Sequence, residues 1–113
     1  MMLLFEQLVA LGGETHAMWG LLPGTVAMQK RLAALGPQRL TLPAGELRGH
    51  TFHYSRCETP LEPVRRTEPA RGGASGAGEA MFRSGSVQAT YFHAWFASSP
   101  AATASLFLPG DPD

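Results

Sequence analysis

Glycine and proline punctuate this chain so closely that no regular element has room to run long. Breaks fall at Gly12-Gly13, Pro23-Gly24, Gly36-Pro37, Pro43-Ala44-Gly45, the run 70–78, Ser84-Gly85-Ser86 and Pro109-Gly110. Glycine supplies the positive φ that tight turns demand, and proline lacks the N–H that a helix interior or central strand needs. A chain of 113 residues cut this way builds one modest core from short pieces. The punctuation is denser than a regular βαβ repeat shows.

Residues 1–11 hold strong helix formers and apolar side chains, so the composition predicts a helix that is apolar on most sides and stops at Gly12-Gly13. Its abrupt start predicts that the natural helix begins earlier than Met1. Residues 16–22 read as a short strand. Thr25 is placed to cap a helix over 26–35, with Val26, Met28, Leu32 and Leu35 on its apolar face and Gly36-Pro37 ending it. Residues 38–42 alternate polar and apolar, as a half-buried strand does, and 47–54 form a second strand beyond the Pro43-Ala44-Gly45 turn. Gly49 inside that strand marks a bulge or a close backbone approach. Val64 opens a short edge strand. The run 70–78 reads as a flexible surface loop; a phosphate cradle would need a Gly-Lys-Ser/Thr and a following helix, which are missing. Residues 79–83 and 87–95 form a hairpin through Ser84-Gly85-Ser86, and Ser98 or Ser99 with Pro100 starts a last helix over 101–108. The result is three helices and five or six short strands, which fits part of a larger α/β domain.

The hydrophobic fraction of 44% and charged fraction of 16% suit a globular chain. Nine basic and nine acidic residues cancel, which argues against nucleic acid and against an anionic membrane surface as partners. Zero net charge also gives little protection against self-association. Cys57 is the single cysteine, so no internal disulfide forms, and a reducing cytoplasm is the expected location. Residues 1–11 are too short to span a bilayer and lack the basic start of a signal peptide.

Chemistry rests on the histidines. His93 closes an apolar strand and precedes a helix, and carboxyl ends of strands are where α/β enzymes gather catalytic groups. A neutral imidazole there takes a proton from a thiol or hydroxyl. The plainer reading is a half-buried ring packed among Phe92, Trp95 and Phe96, and position alone leaves both open. His50 and His53 lie three apart, on opposite faces of a strand, which is poor for a shared metal. One of them can make a polar contact at the mouth of an active site, so both are weak candidates for substrate binding. His16 reads as a solvent-facing loop residue. Cys57, in Ser55-Arg56-Cys57-Glu58, has no strained elbow or helix N-terminus to lower its pKa and reads as a bystander thiol. Glu46, Glu58, Glu62, Glu68 and Glu79 show no paired spacing and read as solvated loop and strand-end carboxylates.

Three motifs carry a resemblance. They are Gly20-Leu21-Leu22-Pro23-Gly24 with Met28-Gln29-Lys30-Arg31-Leu32; Leu47-Arg48-Gly49-His50-Thr51-Phe52-His53-Tyr54-Ser55; and Ala89-Thr90-Tyr91-Phe92-His93 with Phe96, Ser99 and Pro100. In this order, over nearly the whole chain, they resemble the C-terminal portion of the cobyrinic acid a,c-diamide synthases. These are corrinoid-pathway glutamine amidotransferases of the cobyric-acid-synthase type. The middle motif favours the diamide synthases over the cobyric acid synthases, which carry Gly-Tyr-Glu-Ile-His at that place.

The resemblance implies an α/β fold: part of a class I glutamine amidotransferase-like, flavodoxin-like domain with a mixed sheet, lacking its N-terminal half. Residues 1–113 would be the C-terminal part of that domain. It implies glutamine hydrolysis on a cysteine thioester, a histidine matched by His93 as its base, and attack of the released ammonia on an activated carboxylate of a corrin ring. Glutamine and the corrinoid are the implied substrates, with ATP and Mg2+ serving the parent enzyme outside this chain. The family's Glu-Cys-Gly-Gly elbow would precede Met1. The glutamate found two residues after the histidine in triad-type relatives is Trp95 here. The expectation is therefore a fragment that is inactive alone. Competing readings are a non-catalytic amidotransferase-like interaction module and a cobyric acid synthase-type relative.

Overall fold

The computed structural model describes residues 1–70 and 78–109. Most of the sequence-predicted loop at 70–78 lies outside the described residues. The fold is mixed α/β and dominated by strands. These are β1 (Phe5–Val9), β2 (Thr15–Ala17), β3 (Leu22–Met28), β4 (Ala34–Leu42), β5 (Gly45–His53), β6 (Ser55–Glu58), β7 (Arg65–Arg66), β8 (Glu68–Pro69), β9 (Ala80–Ser84), β10 (Val87–Thr90) and β11 (His93–Trp95). Helix α1 (Pro100–Phe107) and two short 3-10 turns, Met2–Leu4 and Phe96–Ser98, complete it.

Three sheets result, with orders β2-β1-β3-β6, β10-β9-β7 and β11-β5-β4-β8. The first is mixed, since β1 runs parallel to β3 and antiparallel to β2. Among the described residues no helix is long and apolar enough to cross a membrane.

Two sequence-predicted helices are strands instead. Residues 1–11 give a 3-10 turn and β1, while 26–28 end β3, 34–35 begin β4 and 29–33 connect them. Tertiary pairing outweighs local propensity here. Phe5 is fully buried against Phe82, edge to face with ring centroids 6.5 Å apart, and Val26 is fully buried where β3 pairs with β1 on one side and β6 on the other. A helix at either place would withdraw that strand from the sheet. Pro37 sits inside β4 rather than ending a helix. Its carbonyl accepts from Ala70 N, so its nitrogen also faces away from β5 and the missing N–H costs no β4–β5 bond.

The remaining expectations fare better. Strands cover 38–42 and most of 47–54, with a two-residue hairpin loop at Pro43-Ala44. The β9–β10 hairpin turns at Gly85-Ser86, where Gly85 has φ of +59°. Val64 immediately precedes the short strand β7. The last helix begins as expected: Ser99 caps it by accepting from Ala102 N, and Pro100 fills the first turn.

Alternation along β9 joins two cores. Met81 packs with Leu40, Leu42, Leu47, Phe92 and Ala102, while its neighbour Phe82 packs with Phe5, Leu22, Val26 and Ala89. The hairpin is thereby wedged between the other two sheets.

Candidate functional site

The strand expected over 87–95 breaks after Thr90, and the break builds the site. Thr90 Oγ1 accepts from Phe92 N, Tyr91 turns toward Ser55, and Phe92 drops into the core. The chain thus leaves the β9 sheet and resumes as β11 on the edge of another. His93 therefore opens a strand rather than closing one. Two features fix its backbone. Gly49, the partner of Ala94, has no side chain because a Cβ there would collide with the His93 carbonyl and lie 2.7 Å from the Phe92 ring. Beyond β11, Ser98 Oγ accepts from Arg48 N at 2.9 Å and donates to Trp95 O at 2.6 Å.

His93 is exposed, not packed into the core, and its Cα partner across the ladder is His50. The two rings meet edge to face, centroids 5.1 Å apart. His50 shares the open face of β5 with Arg48 and Phe52, whereas His53 shares the inner face with Thr51 and Leu47. The sequence separation of His50 from His53 is borne out, and the structure brings His50, not His53, to His93.

His53 anchors a second constellation behind the sheet. Its Nδ1 lies 2.8 Å from the Ser55 carbonyl oxygen and its Nε2 lies 2.8 Å from Glu79 Oε1. The Ser55 carbonyl only accepts, so Nδ1 donates to it, and Nε2 faces the Glu79 carboxyl group. Thr51 Oγ1 donates to the same carboxylate oxygen at 2.7 Å. Tyr91 stacks on His53 at 3.8 Å, and its hydroxyl lies 2.6 Å from Ser55 Oγ. Burial pushes the Tyr91 phenol up to about 12; the Ser55 hydrogen bond opposes this, and the charges of Cys57 and Glu79 add to it.

Glu79 is a correction to the sequence reading. It is not a solvated strand end but a carboxylate whose side chain is only 12% exposed, paired with a histidine side chain that is 14% exposed. His16 is exposed as expected, though on β2 rather than in a loop.

Cys57 lies on β6 beside this network, half-buried. Burial pushes its thiol up, a backbone hydrogen bond opposes that, and the Glu79 charge pushes the same way. A thiol held neutral is a poor nucleophile, as the bystander reading requires. It lines a 620 Å³ cavity with His53, Glu79, Tyr91, Arg56 and Arg66. Among the described residues no three His, Cys, Asp or Glu side chains converge to hold a metal ion.

The exposed His93 ring on a sheet edge thus stands beside the exposed His50 ring of the neighbouring strand in a mixed α/β domain. The family of CobB/CobQ-like glutamine amidotransferase domains matches residues 1–101, and the chain belongs to it. The mixed sheet agrees with the flavodoxin-like class I amidotransferase fold expected from the sequence.

Over 109 residues the chain is 50% identical to the cobyrinate a,c-diamide synthase of Herminiimonas arsenicoxydans, covering 96% of this chain and 24% of that protein. It is 45% identical over 109 residues to the hydrogenobyrinate a,c-diamide synthase of Stutzerimonas stutzeri, covering 96% and 25%. A cobyrinate a,c-diamide synthase of Dehalococcoides mccartyi is 34% identical over 110 residues, covering 88% and 24%. The chain spans about a quarter of the length of these relatives.

Proposed function

We propose that this chain is the portion of a cytoplasmic corrinoid a,c-diamide synthase that carries the general base for glutamine hydrolysis, and that His93 is that base. The observation that carries the reading is the exposed His93 ring, set against His50 on an edge strand whose backbone is locked at Gly49 and Ser98. A ring so placed is open to a reacting group on one side and oriented on the other.

His93 takes the proton of a cysteine thiol. The thiolate attacks the side-chain amide carbon of glutamine, and the imidazolium returns the proton to the departing ammonia, leaving a thioester that water hydrolyses to glutamate. The released ammonia would be the nitrogen donor for a corrinoid carboxylate in the whole enzyme, where ATP and Mg2+ would supply the activation of that carboxylate. His50 is the residue beside the reacting imidazole and a candidate for substrate contact. His53, turned to the inner face and paired with Glu79, serves the fold and the cavity.

The thiol is not that of Cys57, whose sulfur is half-buried beside the His53 network on the inner side of the fold. It is supplied by a segment outside these 113 residues. The purified chain is therefore expected to release no glutamate from glutamine and to amidate no corrinoid. Glutaminase activity of the purified chain that His93→Ala abolishes would overturn the reading.

A further inference from the structure

Four basic residues, Lys30, Arg31, Arg56 and Arg66, line two adjoining hollows of this molecule. The segment between β3 and β4 bends at Lys30 and Arg31, and both of its ends are pinned at the β5–β6 junction. Gln29 N donates to Tyr54 O at 2.7 Å and Ala33 N donates to His53 O at 2.9 Å. The bend holds Lys30 and Arg31 beside Arg56 of β6, and the three line a 480 Å³ hollow in which, among the described residues, no acidic side chain takes part. Arg56 and Ala33 also line the 620 Å³ cavity, where Arg66 adds a further cation. The carboxylate there, Glu79, is already occupied by His53 and Thr51.

The arginine side-chain contacts lie elsewhere: Arg39 with Glu68, Arg48 with Glu46, Arg83 with Gln88, and Arg65 with contacts of its own. Among the described residues the side chains of Lys30, Arg31, Arg56 and Arg66 make no ion pair or hydrogen bond. In a chain of zero net charge this is a concentrated surplus of positive potential over two adjoining hollows.

We propose that the two hollows, joined at Arg56, form one binding site for a ligand bearing several carboxylates. Lys30 and Arg31 hold carboxylates at one end, Arg66 holds one at the other, and Arg56 serves both. Guanidinium groups pair with planar carboxylates through two parallel N–H donors, and lysine adds a point charge. Met28, Ala33 and Phe82 along the walls take the apolar framework between the charges. The ligand class rests on the proposed function, because the substrates named for the relatives are carboxylates; the cationic site itself does not. It lies on the inner side with His53, across β5 from His50 and His93, so it is separate from the proton acceptor.

The test uses the 113-residue chain with tricarballylate as probe, followed by NMR amide shifts, and pyrophosphate of comparable charge as the second arm. Saturable shifts at Ala33, Arg56 and Arg66 are expected, weakened about fivefold or more by Arg56→Gln and by Arg31→Gln. Binding weakens at high salt and is unchanged by His93→Ala. Arg31 and Arg56 are exposed, so the glutamine variants keep the fold, which far-UV circular dichroism checks. Absence of saturable shifts, indifference to both substitutions, or tighter binding of pyrophosphate than of tricarballylate would overturn the proposal. Loss of the catalytic role of His93 in a separate assay would leave it standing.

Discussion

His93 faces His50 directly across the β5–β11 ladder, and their rings meet at 77° with centroids 5.1 Å apart. Neither strand holds the pair alone. β11 is a three-residue edge strand, and it sits where it does because Gly49 admits the chain that precedes and follows Phe92.

Gly49→Ala should therefore damage the site through sterics alone. A methyl group at residue 49 meets backbone and a buried ring, neither of which yields like a flexible side-chain tip. Overpacking of this kind costs about 1–3 kcal/mol. Urea denaturation should show that loss, and the imidazole NMR signals of both His50 and His93 should move. A neutral substitution with unmoved signals would show that β11 does not depend on this close approach.

The His53–Glu79 pair should matter more to stability than to proton transfer. Glu79→Ala leaves the nearly buried His53 ring and the Thr51 hydroxyl without their partner, at a cost of about 1–3 kcal/mol. Glu79→Gln keeps an acceptor oxygen and should cost visibly less. Equal losses for the two variants would mean that the charge, not the acceptor, is what His53 requires.

Tyr91 gives a pH signature. Its phenol is pushed up to about 12, against an ordinary value near 10 in the unfolded chain. The folded state thus holds the proton longer, and stability from this group is complete below pH 10 and lost as pH rises toward 12. The difference in unfolding free energy between wild type and Tyr91→Phe should shrink across that window. A difference that grows with pH would reverse the sign of the effect.

Cys57 should behave as a neutral, sheltered thiol. Alkylation by iodoacetamide should be slower in the native chain than in urea at pH 8, and His93→Ala should leave its rate unchanged. Rapid native alkylation that depends on His93 would place the two groups in one reacting pair.

Much of the frame was legible from turns, caps and alternation. Pro43-Ala44, Gly85-Ser86 and Ser99-Pro100 stand where the sequence puts them, because turn chemistry and capping are local. Residues 1–11 and 26–35 misled because their helix-forming composition is local, whereas Phe5 and Val26 find their partners far along the chain. The candidate site divides the same way. The opposite faces of His50 and His53 follow from a strand period of two. The pairing of His50 with His93, and of His53 with Glu79, spans long separations and leaves no spacing to read.

The central claim is that His93 serves a thiol other than that of Cys57. It is tested most directly by grafting residues 1–109 into the Herminiimonas arsenicoxydans relative in place of its matching quarter and measuring glutamate release from glutamine. His93→Ala should lower kcat by about 10²- to 10⁴-fold, while Cys57→Ser leaves it within about twofold, the scale of a bystander thiol. Full activity in His93→Ala, or its loss in Cys57→Ser, would contradict the claim.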